Sequence, residues 1–296
     1  MQTGQIGVGH IRACIALTKP RIIELLLVTT VPTMFVAERL HMPSIGLIAA
    51  TLCGGMLAAG GANALNMVID RDIDKVMHRT RNRPLVTGAI SLPAAVIFAL
   101  SLEVLAFIEL AVLVNTLSAV LALSATAFYI GVYTMWLKRT SRQNIVIGGA
   151  AGAVPVLVGW SAVTGRLALA PIVLFTVIFL WTPPHFWALA VRYRDDYRSA
   201  RVPMLPAVAS MRTTARSIVV YTVGMVTVSL IFAPVAHMGA IYTSAAGVLG
   251  IAFIWMARGF QRNPTPAVAM KLFSFSISYL TLLFAAIAID QIVAKG

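Results

Sequence analysis

The sequence predicts an all-α fold: a polytopic membrane protein in which nine transmembrane helices form one bundle, with the N-terminus on the cytoplasmic side. Three observations carry that expectation. Of the 296 residues, 59% are hydrophobic and only 11% charged, with a mean hydropathy of +0.88, whereas soluble domains carry about 25% charged residues. Apolar runs near 20 residues recur along the whole chain, about the length a helix needs to cross the hydrocarbon core. The basic residues sit almost entirely in alternate connections, as cytoplasmic loops require.

The spans read, in order, as 22–39, 44–66, 91–110, 115–137, 144–163, 168–190, 214–236, 239–257 and 270–292, separated by short breaks such as HMPS at 41–44 and TGRLA at 164–168. An odd number puts the termini on opposite sides. With the N-terminus inside, the inner segments collect 20 of the 23 Lys and Arg residues, Arg21 among them, and leave Arg39, Arg166 and Lys295 outside. The net charge of +13 is then a topology signal, and nucleic acid is not an expected partner. The opening 21 residues show neither a long apolar core nor a small-residue cleavage site and are short for a transit peptide. A bacterial cytoplasmic membrane is the expected location. Nothing between the spans is long enough for a soluble domain, so residues 1–296 read as one integral-membrane domain. Cys14 and Cys53, in or beside spans and without metal-ligand spacing, are expected to form neither a disulfide nor a metal site.

Five of the ten acidic residues (Asp70, Asp72, Asp74, Asp195 and Asp196) fall in two short segments. The first is NALNMVIDRDIDKVMHRTRNRP, residues 63–84. At 100° per residue, Asn63, Asn66, Asp70 and Asp74 share an arc of about 80° at the inner end of the second span, with Asp72 opposite. Two carboxylates four residues apart repel each other on a bare helix, and near a membrane they need a counter-charge. Mg²⁺ suits such a site, taking one or two carboxylates plus substrate phosphates and keeping several waters. Arg79, Arg81 and Arg83 follow directly, and their planar forks match phosphate oxygens. Carboxylate-bound metal beside arginines is what binding a diphosphate requires. The same spacing also permits a solvated loop with positive-inside charge and i,i+4 salt bridges. Arg71 and Lys75, on the flanks of the face, fit topology charges.

The second segment, WTPPHFWALAVRYRDDYRSARVPMLP at 181–206, lies on the same side between the sixth and seventh spans. Pro183 and Pro184 are expected to break or kink the sixth helix near its inner end. Tyr193, Asp196, Tyr197 and Ala200 then share one helical face, with Asp195 adjacent. Two acidic clusters facing each other across a bundle would hold Mg²⁺ ions around one diphosphate, with Asp70, Asp74, Asp195 and Asp196 as the metal ligands.

With these residues the chain resembles the UbiA superfamily of intramembrane prenyltransferases and, within it, the branch that acts on heme. The resemblance runs through LTKPRI at 18–23, the 63–84 segment, KRTSRQNIVIGGAAGAVP at 138–155, WTPPHFWALA at 181–190 and DYRSARVPMLP at 196–206. The superfamily's first motif, Asn and two Asp at four-residue spacing, falls on Asn66, Asp70 and Asp74. Its wider DxxxD second motif is absent, since Ala200 stands four residues after Asp196, and Val156 stands where a second proline would follow Pro155. The resemblance implies a nine-helix bundle around a central cavity that opens toward lipid, with a polar cap on the inner side. It also implies the reaction of farnesyl diphosphate with heme b to give heme O and diphosphate, with the lipid bilayer as surroundings and a downstream heme O oxygenase or terminal oxidase assembly as a conceivable partner.

On that reading Asn66, Asp70, Asp74, Asp196 and Lys138 are the catalytic candidates. Mg²⁺ enters with the diphosphate, and heme b is a substrate. Lys138 and Arg83, then Lys19 and Arg79, with Asn63 and Tyr193, are the diphosphate contacts, each with a plain topological or structural role as its alternative. His185 is the histidine inside a span and the candidate heme ligand, since imidazole suits iron; a structural hydrogen bond near the prolines is its alternative. His78 reads as a loop residue, and His10, His41 and His237 as peripheral. Glu24 is expected to pair with Lys19 or Arg21. Glu103 and Glu109 are expected to face the bundle, and Trp160 and Trp181 to pack or anchor. A related enzyme acting on a quinone precursor or chlorophyllide would keep both acidic clusters without needing His185. A transporter would instead place its acids near the bilayer midplane, and a heme carrier would need no paired aspartates.

Overall fold

The computed structural model describes residues 3–38 and 41–295, with side chains placed for residues 9, 11–20, 28–38 and 41–294. Arg39 lies outside the described residues, as do the side chains of His10, Arg21, Glu24 and Lys295. Among the described residues the chain is helical, with no strand. Helices α1 (Thr3–Thr18) and α2 (Pro20–Ala37) meet at Lys19. Helix α3 (Ile45–Ile69) starts where the Ser44 hydroxyl accepts from the Leu47 amide at 3.2 Å, an ordinary N-cap. The short helices α4 (Arg71–Val76) and α5 (Pro84–Thr87) lead into α6 (Leu92–Leu113) and α7 (Thr116–Ala127). That last helix runs on as a π-helix over Phe128–Leu137 and one more turn, α8 (Lys138–Thr140). Then come α9 (Asn144–Thr164), α10 (Leu169–Arg192), the short α11 (Arg194–Ser199) and α12 (Leu205–Val208), α13 (Met211–Ala236), α14 (Ala240–Arg262) and α15 (Pro266–Lys295).

Among the described residues, eight stretches are long and apolar enough to cross a membrane: α3, α6, the continuous run Thr116–Thr140, α9, α10, α13, α14 and α15. They coincide with eight of the predicted spans. The predicted span 22–39 falls on α2, whose described apolar stretch is Val28–Ala37. The outward faces carry apolar side chains, with Ile45, Val112, Ile251 and Trp255 each more than 70% exposed. A surface of that kind is meant for lipid rather than water.

Helix α10 is central, packing against α9, α13 and α15. Small residues set the close approaches: a Cβ on Gly149 would lie 2.9 Å from Thr182 of α10, and one on Gly159 would lie 2.7 Å from the Thr30 carbonyl of α2. Such residues let helices pack where lipid supplies no hydrophobic drive. Glu103 and Glu109 face α3 at Gly61 and Gly54, and Glu103 accepts from the Thr126 hydroxyl at 3.2 Å. At the end remote from the acidic motifs, buried Asp290 of α15 accepts from the Gly239 and Tyr242 amides at 2.7 and 3.1 Å. It caps α14 from a different helix, at the end where the macrodipole favours a negative charge.

One expectation changes. Helix α10 passes through Pro183 and Pro184 without a break. Proline's fixed φ is itself helical, and the flanking side chains are pinned to α15: Trp181 Nε1 donates to the Ser276 carbonyl at 2.8 Å, and His185 Nδ1 lies 2.7 Å from the Ser276 hydroxyl. Helix α1, which precedes the expected spans, packs Ala13 and Leu17 against Ala64 and Met67 of α3.

Candidate active site

The acidic motifs gather at one end of the bundle, where α3 ends and the short helices lie. Asp70 is the C-cap of α3 and fully buried. Asn66, one turn earlier, donates to Asp70 Oδ2 at 2.7 Å and to Thr134 Oγ1 at 3.1 Å, and its Oδ1 accepts from Lys19 Nζ at 2.9 Å. Lys138 Nζ donates to the same Asp70 Oδ2. The other oxygen, Oδ1, is buried with no hydrogen-bond partner, and Arg139 stays 3.8 Å from it. Asp74 is buried four residues on and takes Arg83 NH1 at 2.8 and 2.7 Å on its two oxygens. Asp72, on the opposite face, pairs with Arg139 at 2.7 and 2.8 Å, which holds its carboxyl down near about 2. Asn63 turns away and donates to the Thr18 carbonyl at 3.1 Å, tying α3 to α1.

Four cations therefore surround two carboxylates. Lys19 is held in left-handed backbone at φ 52°, a conformation a lysine keeps only where its surroundings fix it. Its ammonium is pushed down to about 7, first by burial and then by Arg83 and Lys138, against the pull of Asp74 and Asp70. Basic side chains gathered in this way around buried groups suit an anionic ligand.

Delivery of Lys138 depends on the π-helix. In an α-helix, Lys138 would stand about 180° from Tyr129, nine residues earlier. With i→i+5 bonding, residues four and five apart share a face. The Lys138 amide bonds to the Tyr133 carbonyl, and the Thr134 hydroxyl to the Tyr129 carbonyl at 2.9 Å. Tyr129, Tyr133, Thr134 and Lys138 thus line one side, with the two tyrosine rings stacked at 5.4 Å. Sequence reasoning missed Tyr129, Tyr133 and Thr134, since at 3.6 residues per turn Tyr129 and Lys138 would face opposite ways.

The second motif enters differently from its sequence expectation. Asp196 accepts from the His78 and Arg79 amides at 3.3 and 3.1 Å, so it clasps the loop after α4. Arg79 lies over the Tyr193 ring at 5.4 Å. The Asp195 side chain is 96% exposed, with Arg198 at 3.8 Å. Among the described residues, no three His, Cys, Asp or Glu side chains lie close enough to hold a metal. Asp70 and Asp74 nevertheless fit Mg²⁺, which takes one or two carboxylates and completes its shell with phosphate and water; the buried Oδ1 of Asp70, which has no hydrogen-bond partner, is the atom that would ligate it. His185 stands apart from this cluster, its ring between Trp181 and Phe273 at 4.2 and 4.6 Å.

Residues 26–283 match the UbiA prenyltransferase family. The chain belongs to that family. Its curated relatives include proteins named protoheme IX farnesyltransferase: one from Streptomyces avermitilis is 51% identical over 288 residues, 95% of this chain and 94% of that protein, and one from Frankia alni is 51% identical over 96% of this chain and 99% of that protein. Solved UbiA-type structures share the fold at low identity. A digeranylgeranylglyceryl phosphate synthase superimposes with a TM-score of 0.78 at 17% identity, over 96% of this chain and 99% of the other. A UbiA homologue from Archaeoglobus fulgidus, bound to DMAPP and Mg²⁺, superimposes with a TM-score of 0.66 at 16% identity, over 93% of this chain and 99% of the other. The protein is thus an integral-membrane enzyme of the UbiA prenyltransferase family, and the polar cluster around Asp70 and Asp74 is the part of this UbiA-family bundle suited to an anionic substrate.

Proposed function

We propose that the enzyme transfers the farnesyl group of farnesyl diphosphate to a vinyl group of heme b, with addition of water, to give heme O and diphosphate, and that the cation-rich face lies on the cytoplasmic side of a bacterial inner membrane. One observation carries the site reading: a fully buried carboxylate, Asp70, keeps an oxygen free inside a shell formed by Lys138, Lys19, Arg83 and Arg139. The heme acceptor is supported by relatives of about half identity along almost the whole chain that carry that name.

The chemistry follows from the charges. The bond between the allylic carbon and oxygen breaks, and the diphosphate leaves with the electron pair. Bound Mg²⁺ would neutralise the developing charge on the diphosphate. Lys138, Lys19 and Arg83 act on the same charge as fixed donors, Arg83 exchanging part of its hold on Asp74 for a phosphate oxygen. The stacked Tyr129 and Tyr133 give the site an aromatic wall, and ring faces favour a cation. The vinyl group's terminal carbon then bonds to the farnesyl carbon. The positive charge moves next to the porphyrin, and water adds its oxygen there and releases a proton.

His185 supports the heme reading through its tautomer. The Ser276 hydroxyl donates to the Phe273 carbonyl at 2.6 Å, so it accepts from His185 Nδ1–H at 2.7 Å. That leaves the Nε2 lone pair for iron, the arrangement in which metal-binding imidazoles are usually oriented. The test is incubation of membranes with heme b, farnesyl diphosphate and Mg²⁺, with pigments read by mass. The expected product is a farnesyl-hydroxyethyl heme that requires Mg²⁺ and disappears in Asp70→Ala. Product from quinone precursors but not from heme overturns the acceptor; product surviving in Asp70→Ala overturns the site.

A further inference from the structure

Asn144 opens α9 and is fully buried, yet neither its Nδ2 nor its Oδ1 has a hydrogen-bond partner. Proteins rarely leave a buried amide in that condition unless something else satisfies it. At 100° per residue, Asn144, Gly148 and Gly159 fall within about 60° of one another on α9. Gly148 meets the ring of Tyr133 in the π-helix, and Gly159 meets Thr30 of α2. Asn144 therefore faces the wedge between those two elements, one turn inward of the Tyr133 contact. The inner ends of the same elements carry Lys138 and Lys19. Helix α9 also begins without a side-chain cap, since Gln143 supplies none. Its first-turn N–H groups bring the positive end of the helix dipole to the same place.

We propose that Asn144 and the first turn of α9 bind the terminal phosphate of the allylic diphosphate, a proposal that rests on the prenyl-transfer reading above. The amide's two N–H donors suit phosphate oxygens, and its oxygen suits the water or ammonium protons that accompany the anion. A carboxylate of nearly the same shape would repel that ligand. The porphyrin is the less suitable occupant, because the nitrogen available to its iron belongs to His185, which packs toward α15 rather than α9.

The full chain in nanodiscs, with Mg²⁺ and inorganic diphosphate measured by calorimetry, tests this. Asn144→Leu removes no hydrogen bond within the protein, so its thermal midpoint is expected to stay level or rise. Its Kd for diphosphate and its KM for farnesyl diphosphate should increase about tenfold, as one hydrogen bond to a charged group is lost. The absorbance titration with heme should stay unchanged, and Asn144→Asp should bind diphosphate more weakly still. A lowered midpoint with unaltered diphosphate binding, or a loss confined to heme affinity, overturns the assignment. Wild-type protein that binds no diphosphate overturns the prenyl-transfer reading itself, whereas variants that bind it as well as wild type overturn this proposal alone.

Discussion

Lys138 is the counter-ion of a carboxylate that has no access to water, and replacing it with methionine isolates what that pairing is worth. The Asp70 side chain is fully buried and that of Lys138 is 15% exposed. After Lys138→Met, Asp70 retains the Asn66 amide at 2.7 Å and Arg139 at 3.8 Å. Breaking a buried ion pair costs about 3–5 kcal/mol, and the two surviving partners place this case at the lower end, about 3 kcal/mol. At about 2–4 °C per kcal/mol for a chain of this size, the midpoint should fall by about 6–12 °C. Asp70→Asn alone should cost less, because Lys138 can swing its ammonium toward water. The double variant, which leaves no buried charge unpaired, should recover most of the loss, giving a coupling of about 2 kcal/mol in a double-mutant cycle. The assay is thermal unfolding in detergent at one fixed scan rate, since such unfolding is often irreversible, without Mg²⁺ or diphosphate. A Lys138→Met midpoint within about 2 °C of wild type, or strict additivity in the cycle, refutes the buried-pair argument.

Two further outcomes follow from the same geometry. Asp196→Ala removes the acceptor for two loop amides and should raise the KM for farnesyl diphosphate about tenfold, because Arg79 and Arg83 lose their placement, while Asp195→Ala, at an exposed carboxylate, should stay within about twofold. Equal losses in both variants, measured by steady-state kinetics, would instead make them a metal-binding pair. Lys19, pushed down to about 7, is largely neutral at pH 8 in the free enzyme; a bound dianionic phosphate raises it again, so binding should take up close to one proton at pH 8 and almost none at pH 6. Calorimetry in buffers of different ionisation enthalpy reads that uptake, which should vanish in Lys19→Met; uptake that persists in that variant rules Lys19 out as its source.

Most of the architecture was legible because a bilayer enforces it. Backbone polar groups have no partner in hydrocarbon, so long apolar runs become helices, and eight of the expected spans appear as such. The first acidic motif was legible for a related reason: Asn66, Asp70 and Asp74 share a face at helical spacing, and a buried carboxylate pair has few uses. The second motif was misread in part. Adjacent aspartates point in different directions on a helix, so one of them, Asp196, reaches the loop amides while Asp195 faces water. Lys138 was identified as a charge near the site, but its route there was hidden, because a π-helix has no sequence signature at the level of hydrophobic period.

Several departures from local rules lie where the chemistry is placed. Lys19 with positive φ, ten residues of π-helix, two prolines carried inside α10, an open carboxylate oxygen on Asp70 and an unpaired amide on Asn144 all lie toward one end of the bundle. The opposite end also bends its rules, at His237 with φ 54°, but there Asp290 caps the neighbouring helix by accepting from the Gly239 and Tyr242 amides. The contrast separates the two cases. At the remote end the strained turn closes on partners within the chain, as a structural device must. At the motif end the donors and acceptors are left incomplete together, and they are incomplete in complementary ways: a Lys19 ammonium that bonds an amide rather than a carboxylate, an Asp70 oxygen without a hydrogen-bond partner, and an Asn144 amide with neither end bonded. One ligand satisfies all of them only if it carries anionic oxygens together with a cation, and a metal-bound diphosphate has that composition.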